Sequence, residues 1–137
     1  MTVFVYGTLR DPGVLNAVLG HDNAAAVPGC VEGYVARLAL GHHFPMLRPM
    51  PDGRAEGLLL TNLNDADIAA LDAFEGETYR RQPMTVILAD GSVTADIYID
   101  DGSYDDGGPF DLAVWESHHR DRFISSFMEL RGFDRPV

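Results

Sequence analysis

Lysine is absent from this chain. All ten basic residues are arginine, set against 21 acidic ones, and the formal net charge is −11. That balance argues against a nucleic-acid partner, because phosphate-backbone binding needs clustered Lys/Arg. Cysteine is almost absent too: Cys30 stands alone, so no intramolecular disulfide can form, and a reducing, cytoplasmic setting is expected. No apolar run approaches the ~20 residues of a membrane span. Met1-Thr2 leads straight into a strand pattern, without the charged and apolar segments of a secretory signal. A soluble single domain over 1–137, with no membrane partner, is therefore expected.

The usual catalytic signatures are missing as well. There is no P-loop ending in Gly-Lys-Ser/Thr and no Gly-x-Gly-x-x-Gly fingerprint, so nucleotide phosphates have no recognisable cradle. No Gly-x-Ser-x-Gly elbow points to a serine hydrolase. His42-His43 and His118-His119 are adjacent pairs and lack the i, i+4 spacing that places two ligands on one helix face. The acidic loop from Asp101 has neither glycine at position six nor glutamate at position twelve of a calcium loop. Cys30 sits in an apolar strand without an evident base, as a buried thiol would. No metal and no cofactor are expected.

What is present begins with Val3-Phe4-Val5-Tyr6, a strand that runs into Gly7. Asp11-Pro12 reads as an N-cap followed by proline at the first helical position, and Val14, Leu15, Val18 and Leu19 give the short helix an apolar face that Gly20 ends. Strands are expected over Ala24–Val27, Cys30–Leu40 and Arg54–Leu63, with an irregular stretch over His42–Pro49. Asn64 or Asp65 caps a helix carrying Ile68, Leu71 and Phe74, which Gly76 stops. Pro83–Ala89 and Ser92–Ile99 form a hairpin about Asp90-Gly91, a dipeptide suited to a type I′ turn. A loop over Gly102–Gly108 leads to a helix capped by Asp111, with Leu112, Trp115, Phe123, Phe127 and Leu130, ending at Gly132. This order lacks the regular βαβ alternation of a doubly wound sheet. It predicts an α+β fold, a mixed sheet curled into a small β-barrel with helices packed outside.

Two segments offer chemistry. At Tyr6-Gly7-Thr8-Leu9 a strand breaking at glycine can aim successive N–H groups into one concavity, and the helix behind Asp11-Pro12 adds a positive dipole end. Such a nest holds a small anion without lysine. An ordinary strand-to-helix turn fits the same residues. Glu75 ends the second helix, where the dipole opposes a carboxylate by ~0.3–1 kcal/mol. Repulsion from Glu77 and an apolar surrounding act in the same direction, raising its pKa toward the range of a neutral-pH acid/base. A plain exposed glutamate fits as well. Tyr79 is placed to offer a hydroxyl to the same pocket, and one of Arg80 and Arg81 to orient the carboxylate, although a strand entry with two surface arginines also accounts for them.

Tyr6-Gly7-Thr8-Leu9 after an N-terminal strand, with Leu71-Asp72-Ala73-Phe74-Glu75-Gly76 and then Tyr79-Arg80-Arg81 downstream, resembles the gamma-glutamylcyclotransferase-like family. The resemblance runs from Val3 to about Ile99, and the chain looks like the short AIG2-like and gamma-glutamylamine cyclotransferase members. It implies the same barrel flanked by helices and an enzyme acting on a small γ-glutamyl substrate. In that chemistry the free α-amine attacks the γ-carbonyl, closes 5-oxoproline and expels an amine or amino acid. Glu75 would be the general acid/base. Tyr6, Gly7, Thr8 and Leu9 would bind the γ-glutamyl carboxylate and polarise the carbonyl, with Tyr79 beside them. The nucleophile belongs to the substrate, so no serine, cysteine or metal is required. The alternative is a non-catalytic domain of the same fold that binds a small carboxylate.

Overall fold

The computed structural model describes residues 1–130; the Gly132 helix stop and the side chains of Phe127 and Leu130 lie outside it. The first strand is β1 (Val3–Val5), which a 3-10 turn (Thr8–Arg10) joins to α1 (Pro12–Leu19). There follow β2 (Ala26–Ala39), β3 (Pro45–Leu60), α2 (Asp65–Glu75), β4 (Tyr79–Leu88), β5 (Gly91–Asp100), β6 (Asp106–Pro109) and α3 (Leu112–Leu130). Five strands close a barrel in the order β1-β5-β4-β2-β3, with β3 returning to β1, and β6 extends the outer part of β2. β1 runs parallel to β5, pairing Val3 with Asp96, and the other neighbours are antiparallel. The α+β barrel flanked by helices is the architecture that the element order predicts.

Strand alternation divides the core in two. Phe4, Val31, Leu59, Val86, Ala95 and Ile97 fill the barrel. Their neighbours Val3, Val5, Leu60 and Tyr98 face outward, against Val14 and Val18 of α1, Ile68 and Leu71 of α2 and Trp115 of α3. Phe4 is 1% exposed, and truncating a ring packed so closely costs about 3–5 kcal/mol. Closure at this point depends on Gly57: a Cβ there would stand 2.2 Å from the Val5 carbonyl oxygen and 2.6 Å from the Phe4 ring. Only a residue without a side chain lets β3 approach β1.

The helix caps follow the sequence signals. Asp11 accepts the Val14 N–H at 3.1 Å with Pro12 at the first position, and Gly20 ends α1 at φ 79°. Asn64 and Asp67 exchange hydrogen bonds as a capping box on α2. Asp111 accepts the Ala113 N–H at the start of α3. No helix among the described residues is long and apolar enough to cross a membrane.

The strands depart from expectation in four places. β2 is continuous from Ala26 and absorbs Gly33, at φ +82°, as a bulge between Glu32 and Tyr34. β3 begins at Pro45, not Arg54, so of the stretch read as irregular the part from Pro45 is strand, while residues 42–44 are irregular as expected. From Pro45 to Gly57 its ladder runs to β2 alone, leaving an open edge where a missing proline N–H is tolerated. The loop expected over Gly102–Gly108 contains β6. The hairpin turn is one residue earlier: Leu88 pairs with Gly91, which leaves Ala89 and Asp90 in the turn. Neither has positive φ, so the turn is not type I′.

Candidate active site

β1 delivers the chain to the mouth of the barrel and the 3-10 turn takes it sideways. Within that turn the Arg10 N–H donates to Gly7 O and the Asp11 N–H to Thr8 O, both at 3.1 Å. The Gly7, Thr8 and Leu9 amides precede the first such donor, Arg10, and so have no acceptor inside the turn, and no side chain caps it. Thr8 and Leu9 are buried. Gly7 is needed for contact: a Cβ there would stand 2.5 Å from Pro45 Cγ, so glycine lets the start of β3 close over the turn. The helix dipole expected to assist is already occupied. Asp11 caps α1 and takes the Arg120 Nε–H at 2.7 Å, which places a carboxylate of the protein's own on that helix end.

Tyr6, Gly7, Thr8, Leu9, Glu75 and Tyr79 all line one cavity of about 460 Å³, within the range of small-molecule sites. Glu75 is the last residue of α2, and Gly76, at φ 78°, turns the chain away behind it. Burial raises its carboxyl from an ordinary 4.5 to about 7. Burial is the whole cause; neither Glu77 nor an orienting arginine contributes. Among the described residues none donates a hydrogen bond to this carboxylate. Arg81 instead donates to Asp72 at 2.8 Å and to Asp96 at 2.9 Å, while Arg80 is exposed. Both arginines are structural or superficial, as their spacing also allowed.

Tyr6, Tyr79 and Tyr98 on the wall are raised above their ordinary value, burial first, with the Glu75 charge adding to the effect on each. They are neutral hydroxyls at physiological pH, and each is engaged. Tyr6 donates to Tyr98 O at 2.7 Å, Tyr79 to Pro45 O at 2.8 Å, Tyr98 to Asp72 Oδ1 at 2.6 Å and Tyr104 to Thr78 Oγ1 at 3.0 Å. Tyr79 therefore offers the cavity a ring and not a free hydroxyl. Beneath it Arg48 grips the buried Asp100 with two hydrogen bonds, 2.7 and 2.9 Å, and also donates to Tyr104 O at 3.1 Å, tying the 101–105 loop to β3.

One family model, described as gamma-glutamyl cyclotransferase, AIG2-like, matches residues 3–117. This chain belongs to the AIG2-like gamma-glutamyl cyclotransferase family. Among its relatives is Protein AIG2 B of Arabidopsis thaliana, 31% identical over 128 residues, which span 90% of this chain and 75% of that protein. A solution structure of a second Arabidopsis thaliana protein superposes with TM-score 0.69 at 26% identity, covering 98% of this chain and 94% of that one. A structure described as gamma-glutamyl cyclotransferase reaches TM-score 0.68 at 15% identity, over 96% of this chain and 79% of its own, a likeness of fold. The AIG2-like match begins at β1 and ends inside α3, so it includes the Gly7–Leu9 turn, Glu75 and Tyr79.

Several walls of this AIG2-like cavity were not foreseen. His42 and Phe44 come from the β2–β3 connection, Pro45 from the start of β3, Tyr104 from the loop after β5, and Trp115 and Phe123 from α3. The connection carries no periodicity, and Trp115 and Phe123 read simply as a helix core face. The histidine pairs do meet, though not around a metal: the His43 and His119 rings stack with centroids 4.0 Å apart. Among the described residues no group of three or more His, Cys, Asp or Glu stands together as a metal site.

Proposed function

We propose that the chain is a γ-glutamylcyclotransferase with Glu75 as its general acid/base. The γ-glutamyl group lies with an oxygen on the Gly7–Leu9 amides, which hold its carboxylate and polarise the γ-carbonyl. Glu75 takes a proton from the α-amine, whose nitrogen attacks the γ-carbonyl carbon and closes a five-membered ring. The tetrahedral intermediate collapses, the amide C–N bond breaks, and Glu75 returns the proton to the departing amine. The products are 5-oxoproline and a free amine or amino acid. Ring closure gains from orientation, since well-aligned intramolecular reactions reach effective molarities of ~10⁵–10⁸ M. A proton shuttle with a pKa near the working pH contributes ~10²–10⁴-fold.

The observation that carries this reading is Glu75, raised to about 7 on the wall of the same cavity as the uncapped Gly7–Leu9 turn. Family membership supports it, as does a chemistry that requires no other nucleophile. A buried, unpaired Cys30 suits a reducing compartment, and we place the enzyme in the cytoplasm. The test is a 5-oxoproline release screen over γ-glutamyl amines, γ-glutamyl dipeptides and ε-(γ-glutamyl)-lysine. Release from at least one class is expected. Binding of 5-oxoproline with no turnover of any class would replace the enzyme with a carboxylate-binding domain of the same fold.

A further inference from the structure

Beyond the turn and Glu75, the cavity is walled by rings. Phe44, Tyr79 and Tyr104 form one group, with centroid separations of 5.2, 6.2 and 6.4 Å. Phe74, Trp115 and Phe123 form another, with Phe123 5.7 Å from both of its neighbours and edge-on to them. The first group comes from the strand side of the molecule and the second from α2 and α3. The stacked pair of His43 and His119 ties one to the other. Every tyrosine of the wall has its hydroxyl on a protein acceptor, so what they present to a ligand is carbon. A surface of this kind accepts a flat apolar ring by offset or edge-to-face packing, and it offers an acceptor on the ligand no phenol donor.

We propose that the cavity contains an aromatic-amine subsite. In the cyclotransferase reading, on which this inference rests, that subsite holds the leaving group. The substrate class is then a γ-glutamyl amide of a primary amine bearing an aromatic ring. Its cleavage balances without water or an external oxidant: the α-nitrogen to γ-carbonyl bond forms, the amide C–N bond breaks, and the proton lost by the α-amine reaches the arylalkylamine through Glu75. Seating the ring between the walls positions the scissile nitrogen in the same cavity as that carboxyl.

The test compares 5-oxoproline release from γ-glutamyl-2-phenylethylamide, γ-glutamyl-ethylamide and γ-glutamyl-4-aminobutylamide, with binding followed by fluorescence of Trp115, the only tryptophan in the chain. The phenylethylamide is expected to lead in kcat/KM by roughly tenfold or more, chiefly through KM. Free 2-phenylethylamine should change Trp115 emission saturably where ethylamine does not. Tyr104→Ala and the milder Phe44→Leu should each shrink the phenylethyl-to-ethyl ratio. Equal or better use of the ethylamide or the aminobutylamide overturns the subsite, as does a ratio that neither substitution moves. If no γ-glutamyl compound is cyclised but 2-phenylethylamine saturates the Trp115 signal, the cyclotransferase reading falls and the aromatic-amine subsite stands. Turnover with no aromatic preference and a silent Trp115 does the reverse.

Discussion

Asp72 and Glu75 sit three residues apart on α2 and have opposite fates. Asp72 accepts from Arg81 and from the Tyr98 hydroxyl, and the Arg81 hydrogen bond leads the causes that hold its carboxyl below the usual range. Glu75 turns into the cavity, where burial raises it to about 7. The same functional group on the same helix is held ionised in one place and raised into the neutral range in the other. Burial on one side and donors on the other make the difference, not the helix: Glu75 is buried without a donor, while Arg81 reaches Asp72.

The largest effect that separates the two is expected from Glu75→Gln. It should lower 5-oxoproline release by about 10²–10⁴-fold while circular dichroism stays that of the parent; near-parental turnover would remove Glu75 from the chemistry. In the parent, kcat/KM should rise with pH through about 7 as Glu75 ionises, and a flat profile over that range would contradict a Glu75 base.

The same substitution should stabilise the protein at alkaline pH. The folded pKa of Glu75 lies above its ordinary 4.5, so the unfolded chain ionises first. The parent accordingly loses stability between pH 4.5 and 7, and the loss is complete above 7. Glutamine escapes it. Denaturant titrations should show a gain of up to about 3 kcal/mol at pH 8 and none at pH 4.

Gly7→Ala tests the opposite wall. Its methyl meets the Pro45 ring, a group with little freedom to move, so a loss of about 1–3 kcal/mol is expected on thermal unfolding. Smallest should be Asp72→Asn. Its pairs are partly exposed, so a cost of about 1 kcal/mol is expected, and the midpoint of the pH–rate profile should stay where Glu75 sets it. A midpoint that moves with Asp72 would mean that the two carboxyls are not independent.

The parts of this site legible from sequence are those that local rules govern. Gly7 after a β-rich run, Asp11-Pro12, Asn64 and Gly76 each carry their own turn or cap chemistry, and Glu75 follows from where α2 must stop. The cause of its raised pKa was less legible, because burial depends on the enclosure of the cavity, whose walls include Phe44, Tyr79 and Trp115 from distant elements. Likewise the prolines of β3 read as strand breakers until the one-sided ladder to β2 is known. Tyr104 gave no signal because its place is set by the Arg48–Asp100 clamp, a contact across 52 positions.

The parallel pairing of β1 with β5 has a consequence in time. It joins Val3 to Asp96, so the ring cannot shut until the chain has been made through β5. Such non-local pairings slow folding toward the ~millisecond-to-second range. The Gly7–Leu9 turn is synthesised well before β5, yet the cavity it lines cannot be complete until β5 has paired with β1. A nascent chain that stops short of β5 therefore carries the turn without the pocket, and the cavity comes into being only with barrel closure.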